Sequence, residues 1–481
     1  MSKIELKPAS VFACFAEVNK VPRPSKKEDR MMEYLLDFGK RLGLDSQRDE
    51  CGNVIIRKPA TLGMEDKPVV ILQSHMDMVC EPSDVSFDFE QSPIETIVEG
   101  EWMRANGTTL GADDGIGVAM QMAILQADDV EHGPIECVFT RDEETGLTGA
   151  FEMKPGFMSG RYLINLDSED EGQIFVSCAG GCRTQAIFDY EPTPVPEGLF
   201  FARLRVEKLT GGHSGDDIEK KRANANKLLM RFLYGVMKKT ELHLIDVQSG
   251  GLHNAIPAKG EVTIAVPASW KHDLTVEWNL FVADVEQEYE VTEPAMHFDL
   301  ESTDPAAMMV DDDTARRLIT ACQAVDNGVF AVCQSIDLVE TSSNLASIHL
   351  VPEKKEIQLN SSQRSSLMSA RHNMSNTIQA CFELAGARVE VGEGYPGWAM
   401  NPNSQLLRVA VEQYRTLFGK EPLVRGIHAG LECGLFSEKY PGLDMVSFGP
   451  TLRGVHSVTE KLHIPSVQKV WDHLLAILKN I

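Results

Sequence analysis

"IECVFTRDEETG", residues 135–146, is the stretch on which the fold turns. Its first half, Ile135 to Thr140, is an apolar run of strand length, and its second half sets Glu143 and Glu144 side by side. A short apolar run bounded by turn residues reads as a buried strand. Two carboxylates at the end of such a strand call for company, and the surrounding sequence provides it. "VVILQSHMDM" (69–78) places His75 and Asp77 at the end of a second apolar strand, and "YLINLDSED" (162–170) ends a third on Asp167. "GADDGIG" (111–117) sets Asp113 and Asp114 just before the helix-like "IGVAMQMAILQA", and "MVSFGPTLRGVHS" (445–457) puts His456 shortly after another strand. Ligands of open α/β sheets gather at the carboxyl ends of strands.

Working outward, residues 9–42 read as two amphipathic helices broken by the loop "VPRPSKKED", and "GNVIIRKP" (52–59) reads as a strand. Strands alternating with helices predict an α/β domain with a mixed sheet and helices on both faces. From about residue 197 the texture changes. "LFFARLRVEKL", "EVTIAVPA", "AMHFDL" and "EIQLNSS" are half-polar strands, separated by the amphipathic helices "NANKLLMRFLYGVMKK", "LTVEWNLFVADVEQEY" and "MSNTIQACFELAG". That pattern suggests an α+β domain covered on one face. The Gly/Pro-rich "GEGYPGWAMNPNS" then leads back to the helix "QLLRVAVEQYRTLF" and the strand "LDMVSFGP". The expected organisation is one α/β domain in two parts, 1–184 and 397–481, interrupted by an inserted α+β domain, 185–396.

The 481 residues are too many for one ordinary core and suit two domains. A hydrophobic share of 43% with 24% charged residues is that of a soluble globular protein. The net charge of −25 argues against nucleic acid, because no basic stripe exists to displace phosphate counterions. No secretory signal is visible at the amino terminus, and no apolar segment reaches the roughly 18 uncharged residues of a membrane span. The ten cysteines are scattered through apolar segments, the usage of reduced thiols, so a cytoplasmic location is expected. Cys178 and Cys182 have no second close pair to complete a zinc site. "GADDGIG" is not a phosphate loop: its acids would repel phosphate and the GxGxxG pattern is absent.

Taken singly, the strand-end residues have plainer readings. A His-x-Asp pair is commonly a structural hydrogen bond, and acids before a helix are commonly caps. Together they offer two imidazoles and at least three carboxylates, the donor set of hydrolytic zinc sites, in which a bridging carboxylate sets two ions roughly 3.5 to 4 Å apart. If the strand geometry persists through Glu143 and Glu144, the two point to opposite faces, which suggests one ligand and one general base. By the same rule His75 and Asp77 share a face, so Asp77 can accept the second imidazole N–H.

With these residues in hand, the chain resembles the dinuclear zinc metallopeptidases related to carnosinase, aminoacylase and bacterial tripeptidase, and within them the Xaa-His dipeptidase group. The stretches that carry the likeness are "GNVIIRKPAT", "SHMDMV", "GTTLGADDGIG", "DEETG", "NLDSEDEG", "GGHSG", "HNAIP", "YPGW", "IHAGLECGLF" and "GPTLRGVHS", in order from about residue 52 to 457. The resemblance implies metal ligands at His75, Asp113, Glu144, Asp167 and His456. It makes Asp113 the bridging acid, with Asp114 as the alternative, Asp77 the residue orienting His75, and Glu143 the general base. It further implies that His213 of "GGHSG" is offered to a partner's active site in a homodimer. Asn254 of "HNAIP" and Arg364 of "SQRSS" would hold the substrate carboxylate, and Glu432 and His428 of "HAGLECG" would either read the substrate side chain or support the wall. The implied cofactors are two divalent ions, zinc first, with manganese or cobalt served by the same ligands. The implied activity is hydrolysis of Xaa-His dipeptides, β-alanyl-histidine among them, with the inserted domain as lid. Tripeptide cleavage or deacylation of N-acyl amino acids is the alternative at the same site.

Overall fold

The computed structural model describes residues 4–83, 86–334 and 338–481, so the first three residues of the amino-terminal stretch lie outside it. The chain forms two compact units. One comprises Met1–Ser177, Trp398–Gly426 and Leu431–Ile481, and the other Cys178–Gly397 and Ile427–Gly430. The changes from one unit to the other at 177/178 and 397/398 stand beside the 184/185 and 396/397 read from the sequence, and the short segment 427–430 belongs to the second unit.

The first unit is built on an eight-stranded mixed sheet in the order Asp45–Arg48, Val54–Lys58, Ile135–Thr140, Val70–His75, Tyr162–Asn165, Asp444–Ser447, Gln173–Cys178, Leu423–Ile427. Its four central strands, from Ile135–Thr140 to Asp444–Ser447, are parallel. Every residue of these four strands is buried, as strands covered on both faces must be. Register pairs His75 with Thr140, Gln73 with Asn165 and Ser447 with Asn165, so all four strands stop at one edge of the sheet. Helix Ala112–Gln126 packs on strand Val70–His75 and on helix Ala9–Val18. A separate small sheet, Leu452–Arg453, Lys461–His463, Trp102–Ala105 and Thr96–Glu99, carries the loop 454–460.

The second unit centres on a nine-stranded sheet whose pairings are antiparallel throughout. Its inward residues, such as Leu204, Val206, Val262, Ile264, Ile357 and Leu359, are buried against helices that include Ala225–Met237, Asp312–Ala324 and Met368–Leu384. The alternating residues on its other face carry cross-strand charge pairs such as Arg205 with Glu261 at 3.4 Å and with Glu301 at 3.3 Å. This one-sided burial agrees with the α+β reading, and the first unit agrees with the mixed α/β one.

Candidate metal centre

The parallel strand ends place the expected residues side by side in the first unit. His75 is the last residue of its strand, and Asp167 follows Tyr162–Asn165 by two positions. Asp113 lies at the start of helix Ala112–Gln126 in a non-helical conformation (φ −81°, ψ 112°). Its carboxylate faces two ways, with Oδ1 3.1 Å from Nε2 of His75 and Oδ2 3.1 Å from Nε2 of His456. Asp167 lies 3.6 Å from the same nitrogen of His75, and Glu144 lies 2.9 Å from that of His456. Donor atoms of His75, Asp113 and Glu144 all lie within 4.8 Å of one another. Asp114 points away: its Oδ1 accepts from the N–H of Gly117 at 3.2 Å, and burial pushes its pKa up to about 8.

One expectation is corrected here. Glu143 and Glu144 do not continue a strand, because the strand stops at Thr140 and Asp142 turns the chain with φ 49°. Their separation therefore comes from a turn rather than from strand alternation. What holds the turn is Asp77. Its Oδ1 accepts from the Glu143 N–H at 3.0 Å, and its Oδ2 accepts from the Glu144 N–H at 3.3 Å and from Ser25 Oγ at 2.8 Å. Oδ1 also lies 3.3 Å from Nδ1 of the fully buried His75. Asp77 thus serves both the imidazole and the loop of the two glutamates.

Electrostatics follow from crowding acids in a buried place. Burial works against the charge on His75, but Asp167, Asp113 and Asp77 outweigh it and hold its pKa well above the ordinary value. The hydrogen bonds to Asp113 and Glu144 raise His456 to about 11. Burial raises Glu143 well above the carboxylate range, with Glu144 and Glu432 adding to the shift. Glu144 keeps a buried Oε1 with no hydrogen-bond partner. Two imidazoles and three carboxylates converging in this way fit a pair of divalent cations, since the same donors would replace proton by metal.

Beneath this cluster the strand ends are cross-linked by polar side chains. Glu432, fully buried at the start of helix Glu432–Lys439, accepts from Gln73 Nε2 at 2.6 Å and Thr140 Oγ1 at 2.8 Å. Gln73 accepts in turn from Asn165 Nδ2 at 2.6 Å, and Asn165 accepts from Ser447 Oγ. Burial raises Glu432 to about 7. The remaining expected residues lie in the second unit. His213 accepts from the N–H groups of Gly215 and Asp216 through Nδ1, both at 3.2 Å, while its Nε2 is 3.4 Å from a guanidinium nitrogen of Arg364. Burial and that guanidinium lower the pKa of His213. Arg364 also donates to Tyr395 Oη at 2.9 Å. His428 pairs with Ser342 Oγ at 2.8 Å, and burial pulls its pKa down to about 3. Asn254 is exposed, and its carbonyl accepts from the Ser214 N–H at 2.8 Å.

Sequence reading overlooked Arg23, Ser25, Gln73, Tyr395 and Glu460. Arg23, 1% exposed, donates from Nη1 to the carbonyl of Asp77 at 2.9 Å and from Nη2 to that of Gly111 at 2.6 Å. In sequence it sits in a charged, proline-flanked loop, and only the prolines hinted at a fixed conformation.

This fold and this donor set define a class: the chain belongs to peptidase family M20/M25/M40, whose pattern matches residues 71–480, and it is a metallopeptidase. It is similar to the cytosol non-specific dipeptidase of Escherichia coli (strain K12), with 40% identity over 482 residues covering 99% of this chain and 98% of that one. The crystal structure of aminoacylhistidine dipeptidase from Vibrio alginolyticus superimposes with a TM-score of 0.94 at 40% identity, covering 100% of this chain and 98% of that one. Aminopeptidase PepT from Bacillus cereus ATCC 10987, 17% identical, shares the fold with a TM-score of 0.57 over 98% of this chain and 97% of its own. The family expected from the motifs is the family found. Among the described residues no helix is long and apolar enough to cross a membrane.

Proposed function

We propose that this peptidase hydrolyses dipeptides and prefers those ending in histidine, β-alanyl-histidine (carnosine) included, at a centre of two divalent ions with a glutamate as general base. The observation that carries the reading is the Asp113 carboxylate, each oxygen of which faces a different imidazole at 3.1 Å. His75, Asp113 and Asp167 would hold one ion and His456, Asp113 and Glu144 the other. Zinc is the first candidate, and manganese or cobalt suit the same ligands. When bound, such ions polarise a peptide carbonyl and lower the pKa of water toward about 7.

The chain's own groups supply the rest. Asp77 fixes the orientation of His75 and the backbone of Glu143 and Glu144. Glu143 takes a proton from the attacking water and returns it to the leaving amine. His213, kept neutral beside Arg364, donates a hydrogen bond to the developing oxyanion in a second copy of the chain, and Asn254 and Arg364 hold the substrate carboxylate. Glu432 is assigned to the substrate pocket through the wall it stiffens rather than through direct contact, since its partners are interior side chains. The inserted segment, 185–396, acts as lid and dimerisation surface with hinges near its two ends. Recovery of activity on mixing inactive Glu143→Gln and His213→Ala chains tests the dimer, and no recovery would remove it. A cytoplasmic location is supported by the 40% identity to a protein named as a cytosol dipeptidase.

Preference for histidine is supported by the 40% identity to a protein named as an aminoacylhistidine dipeptidase. Hydrolysis of β-alanyl-histidine should stop on chelation and return when zinc is restored. If the metal-loaded protein leaves this substrate intact while cutting tripeptides or N-acyl amino acids, the dipeptide claim fails and the shared site serves the other reaction.

A further inference from the structure

Four consecutive backbone N–H groups converge on the carboxylate of Glu460. Leu110 at 2.7 Å and Gly111 at 3.0 Å donate to Oε2, and Ala112 at 2.8 Å and Asp113 at 3.3 Å donate to Oε1. The N–H groups opening a helix have no acceptor within it, and an anion is the partner they favour. Gly111, the residue before helix Ala112–Gln126, has no side chain to serve them. Glu460 does so from far along the chain, on the loop that also carries His456.

The carbonyl side of the same segment is held by Arg23. Its guanidinium spans the carbonyls of Gly111 and Asp77, and its own carbonyl accepts from the Met78 N–H at 3.1 Å. The glycines of "GADDG" make this approach feasible. A Cβ on Gly111 would lie 2.5 Å, and one on Gly115 2.6 Å, from Nη2 of Arg23. Glu460 is 2% exposed and Arg23 1%, and neither is among the ligands. Asp113 keeps its non-helical backbone between these two grips, and that backbone sets the direction of its carboxylate.

We propose that Arg23 and Glu460 are positioning residues that hold Asp113 between His75 and His456, so that both divalent ions can share its one carboxylate. The proposal rests on the metal-centre reading above. Residues that orient ligands typically change metal affinity about 10 to 100-fold when altered. Glu460→Gln keeps the side-chain size but turns an amide NH2 toward two of the four N–H donors. Arg23→Lys keeps the charge but reaches only one of the two carbonyls.

The test titrates metal-free full-length protein with Co2+, reading the binding isotherm and the visible absorption of the bound cobalt, with the metal-free melting temperature measured beside them. Wild type should bind two ions. Glu460→Gln should bind at least one of them about tenfold or more weakly, with an altered cobalt spectrum and a melting temperature within a few degrees of wild type. If that variant does not fold, Arg23→Lys is read in the same way. Wild-type stoichiometry, affinity and spectrum in a folded variant would overturn the proposal, as would an affinity loss that only follows a fall in melting temperature. If wild type and Asp113→Ala bind cobalt alike, the metal-centre reading itself fails and takes this one with it.

Discussion

Asp113 and Asp114 are adjacent acids with different surroundings. Asp113 shares its two oxygens between two imidazoles, whereas Asp114 is turned toward Gly117, with burial holding its pKa near 8. Neither has helical backbone, but Asp113 is extended (φ −81°, ψ 112°) and Asp114 is not (φ −102°, ψ 31°), so their side chains leave the chain in different directions. Glu143 and Glu144 both donate their N–H groups to Asp77, but only the Glu144 carboxylate reaches His456, at 2.9 Å, and the proposed function gives the Glu143 carboxyl to the reaction. Glu143→Gln should therefore retain both ions and lose about 10²- to 10⁴-fold in kcat, the range of a positioned general base. Metal analysis and steady-state kinetics on one preparation decide it, and turnover near wild type would take the role from Glu143.

At the scale of elements, four parallel strands stop at one edge of a sheet and the loops beyond them bring the acids and histidines together. The cross-links among Thr140, Gln73, Asn165 and Glu432 tie these ends to one another, so a shift in one is resisted by its neighbours. The His456 loop is held differently, by the short strands Leu452–Arg453 and Lys461–His463 and by a turn at Gly454 with φ 66°. A Cβ on Gly454 would lie 2.6 Å from Thr459 Oγ1 and 2.9 Å from the Thr459 carbonyl. Gly454→Ala should cost about 1 to 2 kcal/mol from the left-handed backbone alone. On the two-ion proposal it should also loosen the ion assigned to His456 before the other, so extensive dialysis should leave closer to one ion per chain than two. Full retention of both would show that the loop tolerates the strain.

Over the whole molecule, buried neutral histidines set an acid limit on stability. His473, 3% exposed, donates from Nε2 to the Ala410 carbonyl at 2.7 Å and packs against Tyr414 and Phe448. Burial lowers its pKa to about 4 from an ordinary 6.5. Between those values the unfolded chain binds a proton that the folded chain refuses, so stability falls as pH drops through the window, by about 3 kcal/mol at its lower end. Buried carboxyls with raised pKa, such as Asp114 and Glu432, act in the opposite sense, so the test is a difference: by urea unfolding the stability advantage of wild type over His473→Gln should shrink as pH falls from 7 to 4.5, and a constant difference would remove the role from His473. Much of this architecture was legible beforehand. Apolar runs ending on His, Asp and Glu announced the mixed α/β sheet and the polar residues at its strand ends, because strand period and burial are written locally in hydropathy. The helix Gln405–Phe418 was legible to the residue, and the structure adds Ser404 as its cap and Gly419 as its end. What the sequence by itself determined is therefore the donor set and the strands that carry it. Only the tertiary structure decided which acid shares its oxygens between two imidazoles, how the glutamate pair is turned, and that Arg23 and Glu460 grip the Asp113 segment. These depend on pairings such as that between Glu460 and residues 110–113, whose partners lie hundreds of residues apart and leave no local periodicity to read.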